Sequence, residues 1–368
     1  MGTTPSAPTL QDQCVKRGQS IQFSWRANTG VYAKWMKDGK TLVNGGRISI
    51  YQSEDYMDFT LTIRDAKNED EGKYTLELWN SKDRASGSAT IKVLEYDVDW
   101  RTVNWKGNEN IKKALRELHP SNPNVKHLRF LLHGPVGAGK SSVINSINCA
   151  FQGRINVNAL VATTAGKSYT KVYKTHPIKD KDGKELPFVF NDIMGQENEE
   201  SAGASTADII SALNGHIREG YTFNPVSALS ESDKYYNISP SLNDKIHCLV
   251  SVIPADKISL LDDTSGVIVK MRDVREAAND LEILQVVFMT HVDKCCPLVK
   301  EDLKHIYSSK KIKQAMEHCS IKLGVPMNCI FPVKNYSEEN RVNEEIDCLI
   351  LDGLNQIVDF ANYYLGSI

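Results

Sequence analysis

The chain has no apolar run near the roughly 20 residues a helix needs to cross a bilayer, so no transmembrane segment is expected. Charge of one sign is missing too: 44 Lys and Arg against 46 Asp and Glu leave a formal net charge of -2. A chain so balanced has no electrostatic footprint for nucleic acid or an anionic membrane surface, and neither is expected as a partner. Cysteine is sparse. Of eight, at positions 14, 149, 248, 295, 296, 319, 329 and 348, only Cys14 falls in the first hundred residues, and no two form a C-x-x-C pair. That spacing excludes the common structural zinc sites and leaves free thiols in a reducing compartment. The opening MGTTPSAPTLQDQ lacks the basic start and apolar core of a secretory signal, so a cytoplasmic protein is expected. In that compartment the sequons at Asn237 and Asn335 carry no sugar. Gly2 with Ser6 fits the acyl-acceptor pattern M-G-x-x-x-[ST], but a single acyl chain holds a membrane only weakly. The plain reading of residues 1–7 is a disordered leader.

What is present divides in two. At 368 residues, 41% apolar and 24% charged, the chain is globular in composition and too long for one core. Residues 8–95 change face in short alternating runs: Ile21, Phe23 and Trp25; Phe59, Leu61 and Ile63; Ile91 and Val93. Turn clusters such as Lys37-Asp38-Gly39-Lys40 and Asn44-Gly45-Gly46 separate them, which predicts a β-sandwich. Trp35 stands where such a sandwich places a core tryptophan. "LTIRDAKNEDEGKYTLEL" resembles the E-to-F corner of immunoglobulin I-set domains, with Asp70, Gly72 and Tyr74 in the D-x-G-x-Y pattern. That resemblance implies that Tyr74 bonds back to nearby backbone, and it places the family's disulfide positions on Trp25 and Leu76, so no bridge is expected. Nothing in this domain looks catalytic; binding or packing is its expected role.

Residues 96–126 read as a linker. Trp100 and Trp105 suggest a structural seam, and "NENIKKALRELHP" predicts a short helix that Pro120 stops. The second domain, 127–368, opens with an apolar strand followed at once by Gly134-Pro-Val-Gly137-Ala138-Gly139-Lys140-Ser141-Ser142 and a helical pattern at Val143, Ile144, Ile147 and Phe151. This is the P-loop order G-x-x-x-x-G-K-[ST]. The glycines let backbone N–H groups wrap a phosphate chain, and the helix N-terminus adds positive potential. Lys140 then reaches the terminal phosphates and the Ser141 hydroxyl meets magnesium.

An independent signal stands 51 residues beyond Ser141, where "LPFVFNDIMGQE" ends a strand in Asp192. A carboxylate there supports magnesium, and Gly195 completes D-x-x-G, placing its N–H to sense a terminal phosphate. Gln196 follows where Ras-type GTPases carry the glutamine that orients attacking water. Thr163, Thr164 and Thr170 are candidates for the switch threonine; Thr170, just before a predicted strand at 171–178, is chosen as the third magnesium ligand. Arg154 and Arg218 are finger candidates by location only.

Farther on, "LEILQVVFMTHVDKC" ends a strand in Thr290-His291-Val292-Asp293, which resembles the guanine motif [NT]-K-x-D with His291 in place of lysine. The Asp293 carboxylate would accept two donors from the guanine edge, and the histidine ring could stack on the base. "NCIFPVKNY" offers a backbone contact to the base at Val333-Lys334. A final amphipathic helix spans about 343–365. Strand and helix alternate throughout, so a mostly parallel, doubly wound sheet is expected, with the site at the strand carboxyl ends. Residues 197–244, rich in Ser, Gly and Asn, read as an extended switch or a partner-binding insertion.

Taken in order, "GPVGAGKSSVINSI", "LPFVFNDIMG", "SPSLNDKIHC", "THVDKC" and "FPVKNY" make the chain from Trp100 onward similar to the interferon-induced protein 44 family, including its 44-like branch. The resemblance implies an intracellular, interferon-induced protein of antiviral defence that binds GTP or GDP with Mg2+, with cytoskeletal association or homo-oligomers as expected assemblies. It departs at the front, where familiar members carry a TLDc-type domain. Two readings follow: a switch in which Gln196 or a partner assists slow hydrolysis, or a scaffold that holds nucleotide and recruits partners through the immunoglobulin-like domain or residues 197–244. An ATPase is disfavoured by Thr290-x-x-Asp293.

Overall fold

Period-two alternation in the first hundred residues becomes eight strands in a computed structural model, which describes residues 4–94, 99–156, 171–197, 203–261 and 266–368. They are β1 (Gln13–Lys16), β2 (Ile21–Arg26), β3 (Tyr32–Lys37), β4 (Lys40–Thr41), β5 (Ile48–Gln52), β6 (Asp58–Ile63), β7 (Gly72–Trp79) and β8 (Arg84–Leu94). Two sheets, β1-β8-β7-β3-β4 and β2-β6-β5, close over an apolar core. Among the described residues of this unit, β1 on β8 is the one parallel pair.

The core is centred on Trp35, 1% exposed, whose ring stacks on Phe23 at 6.0 Å. The corner forms as the motif predicts: the Tyr74 hydroxyl donates to the Asp70 carbonyl at 2.7 Å. Beneath it, Arg47 Nη1 donates to Asp70 Oδ2 at 2.7 Å. All eight cysteines are free. Two details differ from expectation. Phe23 takes the inward position against Trp35 and Tyr74, whereas Trp25, near the end of the edge strand β2, is half-buried at the core margin. The described leader residues are also tied down. Thr4 Oγ1 donates to Asp83 and the Ser6 N–H to Asn28 Oδ1, at 3.1 and 2.9 Å. The Pro8 carbonyl lies so near Gly87 that a Cβ there would overlap it.

Contacts divide the chain into Met1–Val98 and Asp99–Ile368. The second unit begins with α1 (Asn108–Glu117) and β9 (Leu128–His133), then α2 (Lys140–Gln152), β10 (Lys174–Lys179), β11 (Glu185–Asp192) and α3 (Thr206–Leu213). It continues with β12 (Cys248–Pro254), α4 (Gly266–Asp280), β13 (Leu284–Thr290), α5 (Val292–Cys295) and α6 (Pro297–Glu301). The last elements are α7 (Lys310–Leu323), β14 (Ile330–Pro332) and α8 (Glu344–Ser367). The strands form one sheet in the order β10-β11-β9-β12-β13-β14, parallel except for β10 on β11.

Central strands such as β12, apolar but for Ser251, are buried along their whole length, as a parallel sheet covered by helices requires. α1, α2 and α8 pack together on one face, while α3 and α4 cover Leu131 and Leu249 on the other. α8 starts where Asn343 Oδ1 accepts the N–H groups of Glu345 and Ile346. Trp100 is anchored within this unit. The Arg101 guanidinium sits 5.2 Å from its ring and 5.0 Å from that of Tyr307, and donates to the Met327 and Ile330 carbonyls at 2.8 Å.

Residues 203–223 pack more tightly than the polar composition of the stretch suggests, whereas 224–244 stay exposed or half-buried. Ile217, Tyr221 and Phe223 join α3 in a cluster of their own with Tyr173 and Leu249. Its one buried acid, Asp208, accepts the Tyr221 hydroxyl at 3.2 Å and the Leu229 N–H at 2.7 Å. Serines and glycines in this stretch supply turns, and the aromatics supply the core. Among the described residues no helix is long and apolar enough to cross a membrane, and no cluster of His, Cys, Asp and Glu could hold a metal ion.

Candidate functional site

The loop between β9 and α2 is built on glycine. Gly134 has φ 142°, and a Cβ there would run into the Val252 carbonyl of the neighbouring strand, so no other residue fits. Gly139 turns through φ 91° to start α2, leaving the first N–H groups of that helix facing the loop. Lys140 folds back inside. Its Nζ donates to the carbonyls of Gly134 and Pro135 at 3.0 and 2.9 Å, and the residue is 7% exposed. Burial pushes its pKa down to about 8, against the opposing pull of Asp192. Next to it the Ser141 hydroxyl donates to Asp192 Oδ2 at 2.6 Å. The last residue of β11 and the first turn of α2 thus meet, and Asp192 is 2% exposed.

The segment after Asp192 is zipped to the same loop. The Gln196 N–H donates to the Gly134 carbonyl at 3.0 Å and the Val136 N–H to the Gln196 carbonyl at 3.1 Å. A Cβ on Gly195 would lie 2.7 Å from Val136 Cγ2, so D-x-x-G needs its glycine for close approach. Gln196 is 1% exposed, and its amide lies buried beside the imidazole of His133 with neither amide atom in a hydrogen bond among the described residues. His133, fully buried at the end of β9, shares a 2.7 Å hydrogen bond with Ser251 on β12. Burial first and the nearby Lys140 second push its pKa down to about 3, so the ring is neutral. Sequence reasoning passed over His133 and Ser251. The available signal was a histidine ending a mainly apolar strand that abuts the glycine loop.

The loops after β13 and β14 close the other end. The Thr290 hydroxyl donates to the Ala138 carbonyl at 2.6 Å, joining the third strand end to the loop. His291 takes a left-handed conformation, φ 55°, and its Nδ1 lies 3.3 Å from Asp256 Oδ1. Burial, then Lys294, lowers its pKa. Its ring therefore contacts Asp256 after β12, and Asp293 stands half-buried in the first turn of α5. The Val333 N–H is used in the sheet, on the Met289 carbonyl at 2.8 Å. Lys334 Nζ is bound by Glu339 at 2.6 Å.

One neighbour was missed altogether: Asn335, whose Nδ2 donates to the Gly139 carbonyl at 3.3 Å. Gly134, Gly137, Ala138, Gly139, Lys140, Ser141, Asp192, Gly195 and Thr290 are therefore brought together. Ser142, half-buried, continues α2 beyond them. Thr163, Thr164 and Thr170 lie outside the described residues. Arg154 is exposed beyond α2, and Arg218 is engaged with the Lys234 carbonyl at 3.4 Å.

Over residues 7–93 the chain matches the family model of the immunoglobulin I-set domain. It is 36% identical over 294 residues to interferon-induced protein 44 of Homo sapiens, covering 76% of this chain and 65% of that protein. To interferon-induced protein 44-like of Homo sapiens it is 32% identical over 255 residues, covering 69% and 56%. The chain thus spans less than two thirds of the length of these relatives. Among solved structures it is similar to the titin M3 domain, at 30% identity, 24% of this chain, 95% of that chain and a TM-score of 0.23.

Proposed function

The chain belongs to the interferon-induced protein 44 family and carries an immunoglobulin I-set domain in front, and from that premise we propose that its second unit is a P-loop domain that binds a guanine nucleotide with magnesium. One observation carries the reading. Lys140, the Ser141–Asp192 pair and Thr290 meet at the carboxyl edge of one parallel sheet, where open α/β sheets bind ligands. Gly134, Gly137, Ala138, Gly139, Ser142 and Gly195 would supply backbone contacts, and Lys140 would leave its loop carbonyls for phosphate. The donor pair fits magnesium: a hydroxyl and a carboxylate are hard oxygens, already 2.6 Å apart. The bound ion would offset phosphate charge there. Asp293 would read the guanine edge, with His291, Val333 and Lys334 lining the base.

The relatives are named for interferon induction, and we place this chain in the same response, acting in the cytoplasm. The I-set domain would supply a protein-binding surface. Between the switch and the scaffold, the burial of Gln196 favours the second: the residue is 1% exposed and its backbone is bonded to Gly134 and Val136, so nucleotide is held more readily than it is hydrolysed.

The test is direct. Full-length protein is titrated with GTP and with ATP in the presence of Mg2+, and phosphate release is followed. GTP binding that is lost in Lys140→Ala, with ATP at least tenfold weaker, is the expected result. Equal affinity for ATP removes the guanine assignment, and no binding of either nucleotide overturns the proposal.

A further inference from the structure

We propose that Asn335 is a positioning residue for the phosphate-binding loop, fixing the Gly139 carbonyl and with it the direction of the Lys140 N–H. The inference rests on the nucleotide reading of that loop and extends it to a residue given no role in the site above.

The chain leaves β14 with the Val333 N–H bound to Met289 and turns so that Asn335 lies over the start of α2. Both ends of the amide are used. Nδ2 donates to the Gly139 carbonyl at 3.3 Å, and Oδ1 accepts from Ser146 Oγ at 3.3 Å. Ser146 is fully buried, shares its hydroxyl proton with the Ser142 carbonyl at 2.8 Å, and accepts the Tyr336 N–H at 3.0 Å. Asn335 is therefore held by the second turn of the same helix whose start it orients. The fit is close: a Cβ on Gly139 would come within 2.9 Å of Asn335 Nδ2.

The consequence follows from peptide geometry. In a planar trans peptide the carbonyl and the next N–H point in opposite directions. The Gly139 carbonyl is held toward α2 by the Val143 N–H at 2.9 Å and by Asn335 from the side. The Lys140 N–H must then point out of the helix end, where an anion binds. Thr290 does the same one peptide earlier, through the Ala138 carbonyl. Two successive peptide planes are each gripped by a side chain from a different strand end. A loop with left-handed glycines at 137 and 139 would otherwise lose conformational freedom on meeting a phosphate, and donors already aimed avoid that cost. Asparagine suits the place because it needs a donor on one side and an acceptor on the other. Aspartate would keep the Ser146 bond but set a carboxylate oxygen against the Gly139 carbonyl.

The test uses Asn335→Asp and Asn335→Ala in the full chain, titrated with tripolyphosphate, GDP and guanosine by calorimetry and by NMR of the Lys140 amide. Both variants are expected to weaken tripolyphosphate and GDP about tenfold, the aspartate more, from the loss of one oriented donor. Guanosine should change less than about twofold, and the Lys140 amide resonance should shift in the variants without ligand. A parallel loss of guanosine would assign Asn335 to the base and overturn the proposal, as would unchanged phosphate affinity with an unmoved amide. If Asn335→Asp fails to fold, Asn335→Ala carries the same two readouts. Wild-type protein that binds neither tripolyphosphate nor GDP would instead defeat the nucleotide reading, a result separable from normal wild-type binding with indifferent variants.

Discussion

The Ser141 hydroxyl donates to the Asp192 carboxylate across 2.6 Å, although 51 residues separate the two in the chain. Their meeting joins the P-loop strand-and-helix signal to the D-x-x-G signal at one point. Asp192→Asn keeps the shape but removes the charge that would hold a divalent cation. GDP affinity in Mg2+ should fall at least tenfold, while affinity in EDTA should hardly move; calorimetry in both buffers checks this. A variant that retains its full Mg2+ dependence would remove Asp192 from the proposed metal site.

Base selection is expected to reside in Asp293 rather than His291. The aspartate stands in the first turn of α5, whereas the His291 ring is turned onto Asp256 at 3.3 Å. Asp293→Asn should shift preference from GTP toward xanthosine triphosphate by at least tenfold, since the carboxamide matches a donor-acceptor edge rather than two donors. His291→Ala should weaken GTP less than about threefold. Competition between the two nucleotides against a fluorescent GDP reads both effects.

His133 should make the protein acid-sensitive. Burial holds its pKa near about 3, below the usual 6.5, so the unfolded chain binds a proton that the folded chain refuses throughout that interval. Above pH 6.5 both states are neutral there and nothing is lost. As pH falls below 6.5, stability declines by up to about 1.4 kcal/mol per unit from this group. Denaturant unfolding of His133→Gln between pH 7 and 4 should give a flatter acid limb than wild type. Equal slopes would mean that His133 is protonated in the folded state.

In the first unit, the bond from the Tyr74 hydroxyl to the Asp70 carbonyl is 2.7 Å long and buried. Tyr74→Phe deletes the donor and keeps the ring, so the cost should be about 1–2 kcal/mol. A lower first melting step by calorimetry, with GTP affinity unchanged, is the expected result.

The immunoglobulin-like fold was legible because alternation, turn residues and the D-x-G-x-Y corner all act locally, and Trp35 and Tyr74 land where their spacing places them. The strand-loop-helix around Lys140 was legible for the same reason: glycines at 134 and 139 dictate the turn. Side-chain direction was not. Whether Gln196 points at a ligand or at His133 depends on β9, which lies more than 60 residues earlier. Asn335 touches Gly139 only because β14 is the last strand laid beside β13. The packing of residues 203–223 was hidden by composition, since a few aromatics form the cluster and many small residues form the turns.

That direction decides between the two functional readings, and Gln196→Leu tests it. Leucine is close to glutamine in size and would fill the pocket against His133 without an amide to satisfy. If the side chain stays where it is, 1% exposed and facing His133, phosphate release from GTP should change less than about twofold. Were Gln196 to swing out on GTP binding, it would have to leave an enclosed site while its backbone remains bonded to Gly134 and Val136. A tenfold or greater loss of single-turnover hydrolysis in the leucine variant would demonstrate that movement and restore the switch. An unchanged rate, with GDP affinity intact, makes the second unit a holder of nucleotide, and leaves any acceleration of hydrolysis to groups that a partner supplies.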